Sequence, residues 1–305
     1  MKRLFWIAAI LTAATTTQAT EYHVYYLGGQ SNMDGYGWNK ELPAAHAEAV
    51  EGVYIFHSQP RFDDKPATGQ GRWTKLKPGH GTGFKSEGEA NAYSDRFGPE
   101  LAFGRELKTL YPNRRIALIK YALGGTALQE GTPAYGTWAP DYRDINQYDH
   151  ALATIANAAD VTDIDGDGEL DRLVPAGIVW MQGEADAYES YDAALAYEAN
   201  LKRMMDLLRA ALRIDDLPVV IGRITDSGRA DDGNVMDHIK IVQEAQRRFV
   251  EKDSCAAYST VTDDQSYPEN DDWHYDSAAY LAMGVDFARQ LKGLDGQCLK
   301  PQVQE

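Results

Sequence analysis

The run Tyr25-Tyr26-Leu27-Gly28-Gly29-Gln30-Ser31-Asn32-Met33 constrains this chain more than any other segment. Residues 24–27 are apolar and rich in aromatics, the composition of a buried strand. The run halts at two glycines, which let a backbone turn tightly and approach other groups closely. Ser31 follows at once. A serine in that place stands at the carboxyl edge of a parallel sheet, where open α/β folds put their sites. Serine is a weak nucleophile until a base activates it. The chain offers a base near its other end, in Asp271-Asp272-Trp273-His274.

Five apolar runs read as parallel strands: residues 22–27, 53–57, 115–123, 176–181 and 218–224. Helical periods fill the intervals. Leu101, Gly104, Leu107 and Leu110 share a face after Pro99. Leu195, Leu201, Met205, Leu208 and Leu212 mark a long helix, Ile239, Val242, Ala245 and Phe249 another, and Ala278, Leu281, Val285 and Leu291 the last. Alternation of this kind implies a doubly wound α/β/α sandwich. Residues 58–97 break the pattern. They hold several Gly and Pro with scattered aromatics and no clean period, and read as a cleft wall or a flexible surface insertion. Tyr135, Trp138 and Tyr142 between residues 129 and 144 read either as sugar-stacking faces or as core.

The first 19 residues read as a secretory leader. Lys2 and Arg3 are its basic start, residues 4–14 its apolar stretch, and Thr17-Gln18-Ala19 its cleavage site. Removing 19 of 305 residues leaves 286, which suits a single domain over residues 20–305. No later apolar run is long enough to cross a bilayer. The formal charge is −16, a balance that repels nucleic acid and anionic membrane. The chain has two cysteines, Cys255 and Cys298. In an exported protein they suggest a disulfide, with two free buried thiols as the alternative.

A serine after the first strand, with Asp and His three apart near the C-terminus, resembles the SGNH hydrolases. The string Gly29-Gln30-Ser31-Asn32-Met33 resembles the sialate O-acetylesterase and acetylxylan esterase branch, carbohydrate esterase family 6-like. So do Gly98-Pro99-Glu100-Leu101, Gly124-Gly125-Thr126, Trp180-Met181-Gln182-Gly183-Glu184-Ala185-Asp186 and Val242-Gln243-Glu244-Ala245-Gln246. The resemblance runs from about residue 22 to residue 292. It implies a flavodoxin-like sheet of five parallel strands and an esterase that needs no redox cofactor or catalytic metal.

Ester hydrolysis requires a nucleophile, a base, a group orienting the base, and donors for the oxyanion. Ser31 is the expected nucleophile, His274 the base, and Asp271 its orienter. The family spacing selects Asp271 over Asp272. Expected oxyanion donors are the Ser31 N–H, a backbone N–H of Gly124 or Gly125, and the Gln182 amide. The broader superfamily carries Asn where this branch has Gln182. Glu184 is expected beside the Ser31 loop, accepting its backbone N–H groups, with Asn32 orienting that loop. The other histidines match no part of the pattern.

A separate motif spans Asp163-Ile164-Asp165-Gly166-Asp167-Gly168-Glu169-Leu170-Asp171, like the start of an EF-hand loop. Asp163, Asp165, Asp167, Glu169 and Asp171 are its candidate calcium ligands, in an insertion at about residues 160–174. Val174 stands at position twelve, where a bidentate carboxylate belongs, and cannot bind calcium. The alternative is an acidic turn without metal.

The expected activity is that of a secreted or periplasmic serine esterase removing acetyl groups from a carbohydrate. Two rivals remain: a lipase or thioesterase of the same superfamily, and a calcium-stabilised carbohydrate-binding protein without catalysis.

Overall fold

The computed structural model describes residues 19–298. The expected leader lies outside the described residues except for Ala19. Strands β1 (Thr20–Gly29), β2 (Val53–His57), β3 (Trp73–Lys75), β4 (Arg115–Ala122), β5 (Asp171–Met181), β6 (Val219–Gly222) and β7 (Ala256–Ser259) form one sheet. Their order is β7-β6-β5-β1-β4-β2-β3. All pairs are parallel except β2 with β3. The sheet therefore has seven strands where five were expected. The additions are both at its edges. β3 is three residues inside the Gly- and Pro-rich segment, too short to show a period. β7 reads Ala-Ala-Tyr-Ser, with its first three residues only partly buried. β4 also inserts between β2 and β1, whereas a flavodoxin-like sheet pairs its first two strands directly.

β1 is nonetheless the switch point of the sheet. The chain builds one side of β1 first and then crosses to build the other. Loops leaving β1, β4 and β5 thus converge at the carboxyl edge, where the crevice opens.

Alternation along β1 serves two helical layers. Tyr25 meets Phe103 edge-on at 5.6 Å on one face. Phe103 belongs to α2 (Glu100–Leu110), which packs with α7 (Ser277–Gly293). On the other face, Trp180 of β5 meets Trp138 at 5.0 Å. There α3 (Gln147–Asp160), α5 (Tyr191–Ala211) and α6 (Ile239–Lys252) complete the cover. In α7 the buried seam is Tyr280, Met283, Phe287 and Leu291, so Ala278, Leu281 and Val285 turn away from it. Leu195 of α5 likewise faces outward, 56% exposed.

The 58–97 segment is packed. Phe84 stacks on His57 at 4.1 Å and on His80 at 4.9 Å, all three buried. Beside them, fully buried Lys120 donates to Glu100 Oε2 (2.8 Å), Asp34 O (2.8 Å) and His80 O (2.7 Å). All three ammonium protons are thereby used, which a buried charge requires. Cys255 and Cys298 form a disulfide, with Cα atoms 5.6 Å apart, tying the chain after α7 to the start of β7. Among the described residues, no helix is long and apolar enough to cross a membrane.

Candidate active site

The turn after β1 is dictated by contact with β5. Gly29 has φ +143°, and a Cβ there would lie 1.9 Å from the Met181 carbonyl oxygen. The Gln30 N–H donates to that oxygen at 2.9 Å. Ser31 then opens α1 (Ser31–Asp34), a single turn whose residues are all buried. The Gln30 side chain accepts from the Gly183 and Ala185 N–H groups, locking this turn to α4 (Glu184–Ala187).

The base arrives on the loop before α7. Asp271 Oδ2 lies 2.8 Å from His274 Nδ1, and Asp271 Oδ1 accepts the Trp273 and His274 N–H groups at 2.9 and 3.0 Å. The carboxylate thus fixes both the ring and the turn that carries it. Asp272 instead lies 3.5 Å from Arg229, whose guanidinium also donates to the Tyr267 and Pro268 carbonyls and braces the loop. Tyr36 stacks flat on the His274 ring, with centroids 3.5 Å apart and planes 2° apart. Burial pulls His274 below its ordinary pKa, and Asp271 opposes that only in part. Burial pushes the Asp271 carboxyl up, but its hydrogen bonds outweigh this and its pKa falls. At neutral pH the pair is a neutral imidazole against a carboxylate, the state a general base requires.

Ser31 and His274 line one cleft of about 750 Å³. No direct hydrogen bond joins them among the described residues, and such bonds commonly tighten only when substrate is bound. Gly124 faces the nucleophile: a Cβ on it would lie 3.1 Å from Ser31 Cβ. Among the described residues, neither the Ser31 nor the Gly124 N–H donates to a protein acceptor. Two free donors beside a serine are what an oxyanion needs. Gly125 lies beneath the Tyr135 ring and accepts the Tyr135 N–H at 2.8 Å.

Gln182 does not fit the donor role expected of it. It is fully buried and does not line the cleft. Its Nε2 donates to Thr126 O (2.9 Å) and Asp186 Oδ2 (2.6 Å), and its Oε1 accepts the Tyr197 hydroxyl. Both amide protons are therefore spent inside the protein. Asp186 also receives the Leu128 and Gln129 N–H groups. Gln182 and Asp186 thus hold the loop that carries Gly124 and Gly125 without touching the reacting centre.

Glu184 accepts the Asn32 side-chain amide at 2.7 Å, where backbone N–H groups of the Ser31 loop were expected. Burial raises its carboxyl to about 7, against the Asn32 hydrogen bond. Asp34, three residues beyond Ser31, is likewise raised to about 7 by burial, with Lys120 opposing. Both acids line the cleft, together with Tyr36, Phe62, Thr82, Tyr135, Tyr188 and Trp273. The 58–97 segment thus contributes Phe62 and Thr82. Trp138 is core, and the Tyr142 hydroxyl is 3.2 Å from Asp64 on the surface.

The acidic loop lies at the opposite edge of the sheet. Thr20 pairs with Asp171 where β1 begins, so about 30 Å of strand separates it from Ser31. Carboxylate oxygens of Asp163, Asp165 and Asp171 come within 4.8 Å of one another. Asp167 Oδ1 accepts the Glu169 N–H, and neither residue joins that group. Asp165 also pairs with Arg115 at 2.6 Å and the Tyr22 hydroxyl at 2.8 Å. Val174, at position twelve, belongs to β5 and pairs with His23 of β1.

Three solved structures share the fold. A protein from Arabidopsis thaliana is 20% identical, with a TM-score of 0.60, covering 90% of this chain and 99% of its own. A carbohydrate acetylesterase from Xanthomonas citri, XAC1771, is 16% identical, with a TM-score of 0.61, covering 89% of this chain and 57% of its own. NanS is 15% identical, with a TM-score of 0.57 and coverages of 91% and 98%. A comparison with curated proteins finds no match. The profile of the family described as carbohydrate esterase, sialic acid-specific acetylesterase, matches residues 21–292. The chain belongs to that family of carbohydrate acetylesterases and is a carboxylic ester hydrolase.

Proposed function

We propose that this protein is an exported serine esterase that transfers an O-acetyl group from a carbohydrate to Ser31 and then to water. In this reading His274 takes the Ser31 proton as the hydroxyl attacks the acetyl carbonyl, then gives it to the departing sugar oxygen. Water repeats the sequence on the acetyl-enzyme. Asp271 holds the imidazole, and the Ser31 and Gly124 N–H groups receive the oxyanion. The observation that carries the reading is that His274, held by Asp271, lines one cleft with Ser31 and Gly124, whose N–H donates to no protein acceptor among the described residues. Export is supported by the basic and apolar pattern of residues 1–19 and by the Cys255–Cys298 disulfide.

The same proposal includes a structural calcium ion held by Asp163, Asp165 and Asp171. The buried Asp165 Oδ1 has no hydrogen-bond partner among the described residues, which supports an ion there. At about 30 Å from Ser31 it would fasten the starts of β1 and β5 and take no part in the chemistry.

Acid quenching during turnover of nitrophenyl acetate, followed by peptide mass analysis, tests the mechanism. An acetyl group on the Ser31 peptide is expected. Acetate release with that peptide never modified, even under rapid quench, would overturn it.

A further inference from the structure

Two backbone donors, from Ser31 and Gly124, stand beside the nucleophile, and the Gln182 amide is spent inside the protein. Each donor already aimed at a developing oxyanion adds rate, so a third place is worth filling. One cleft residue offers the group. The point where a Gly124 Cβ would stand is 3.1 Å from Ser31 Cβ and 3.7 Å from Tyr36 Oη. The same small space therefore borders the nucleophile, an oxyanion donor and a phenol, and all three residues line the cleft.

The chain holds this phenol rigidly. Gly35, the residue before it, has φ +102°, and a Cβ there would lie 2.2 Å from Gly98 Cα. Gly35 O accepts the Thr82 N–H at 2.9 Å, and Tyr36 O accepts the Arg96 guanidinium. Gly37 and Trp38 pair antiparallel with Phe97 and Arg96. The Trp38 N–H donates at 2.9 Å to the hydroxyl of Ser277, which opens α7 just beyond His274. The flat stack on His274 then fixes the ring itself. Burial raises the hydroxyl above its ordinary pKa, with Thr82 opposing, so it keeps its proton at neutral pH. It is a donor held in place before substrate arrives, which is what oxyanion stabilisation requires.

We propose that Tyr36 is a catalytic residue: its hydroxyl donates a hydrogen bond to the acetyl carbonyl oxygen as that oxygen gains charge on Ser31, the role expected of the Gln182 amide. The hydroxyl keeps its proton throughout, and His274 carries all proton transfer. The 58–97 segment gains a role with it, since Thr82 and Arg96 hold the turn that aims Tyr36. The proposal rests on the esterase reading above and adds a residue to it.

Tyr36→Phe is the test, because phenylalanine keeps the stack on His274 and loses only the hydroxyl. Wild type and variant are compared by kcat, KM and pH profile on nitrophenyl acetate, by inhibition with methylboronic acid, and by thermal melting. The boronic acid adds to a serine hydroxyl and presents a boron-bound oxygen where the oxyanion forms. The variant is expected to melt like the wild type and to lose about a hundredfold in kcat with little change in KM. Its Ki for methylboronic acid should rise by about tenfold or more, and the acid limb of its pH profile should stay in place. An unchanged kcat overturns the proposal. So does a loss of rate with unchanged inhibition, which would put the effect outside the oxyanion, or with a shifted acid limb, which would put it on His274. In these cases the esterase reading stands. Failure of the wild type to cleave nitrophenyl acetate would instead remove the reading beneath it.

Discussion

The Asn32 amide donates to the Trp273 carbonyl at 3.1 Å, so the residue after Ser31 grips the residue before His274. Its other contacts are equally directed. The same amide donates to Glu184 at 2.7 Å, and its carbonyl oxygen accepts the Tyr280 hydroxyl at 2.8 Å. One side chain therefore sets the spacing of two segments 241 residues apart in sequence.

Removing that grip should reduce the chemical step more than binding. Asn32→Ala is expected to lower kcat on nitrophenyl acetate by about a hundredfold, with a smaller change in KM, because small misplacements of reacting groups cost that much. Steady-state kinetics on protein shown to be folded by its melting curve checks this. An unchanged kcat would mean that Asn32 does not position the pair.

His274 predicts the acid limb of the pH profile. Burial lowers its pKa below the ordinary 6.5, and Asp271 restores only part of the loss. Catalysis needs the neutral ring, so kcat/KM should hold above that value and fall on acidification, with a midpoint below 6.5. Asp271→Asn removes the raising influence. The midpoint should then move further toward acid while kcat drops by about 10⁴. A wild-type midpoint above 6.5 would contradict this assignment.

The disulfide closes a stretch of 43 residues that includes the His274 loop and α7. A loop of that length is worth about 4 kcal/mol through the unfolded chain. Reduction, or a Cys255→Ser and Cys298→Ser double variant, should lower Tm by roughly 10 °C for a protein of this size. Melting with and without reductant measures it. Superimposable curves would show that the bridge adds nothing.

The acidic loop should respond to calcium in stability rather than activity. At a hundred times its Kd, calcium would stabilise the fold by about 2.7 kcal/mol and raise Tm by several degrees. Turnover at 25 °C should stay level. Identical melting in chelator and in millimolar calcium would remove the metal from the account.

Much of this was readable from the chain because strong local signals marked it. The Leu27-Gly28-Gly29 stop fixed where β1 ends, and the turn at Gly29 follows from that. The spacing of Asp271 and His274 is a local turn, so sequence distance carried it. Tyr36 on His274 was not readable, since a stacked pair leaves no period or motif. Lys120 was hidden for a similar reason: a lysine in an apolar run gives no sign that three acceptors await it. Gln182 does not serve as an oxyanion donor because Asp186 and Thr126 claim its amide, and although both lie in family motifs, their spacing gives no sign of these two bonds. The two edge strands were too short for alternation to register.

The most direct measurement is acetate release by wild type and Ser31→Ala on the same acetylated sugar and on nitrophenyl acetate. Ser31 sits at the end of a turn fixed by backbone contacts, so its loss should leave melting nearly unchanged. The variant is expected to fold and to fall by at least about a thousandfold in kcat on both esters. A folded Ser31→Ala that keeps most of the wild-type rate would contradict it.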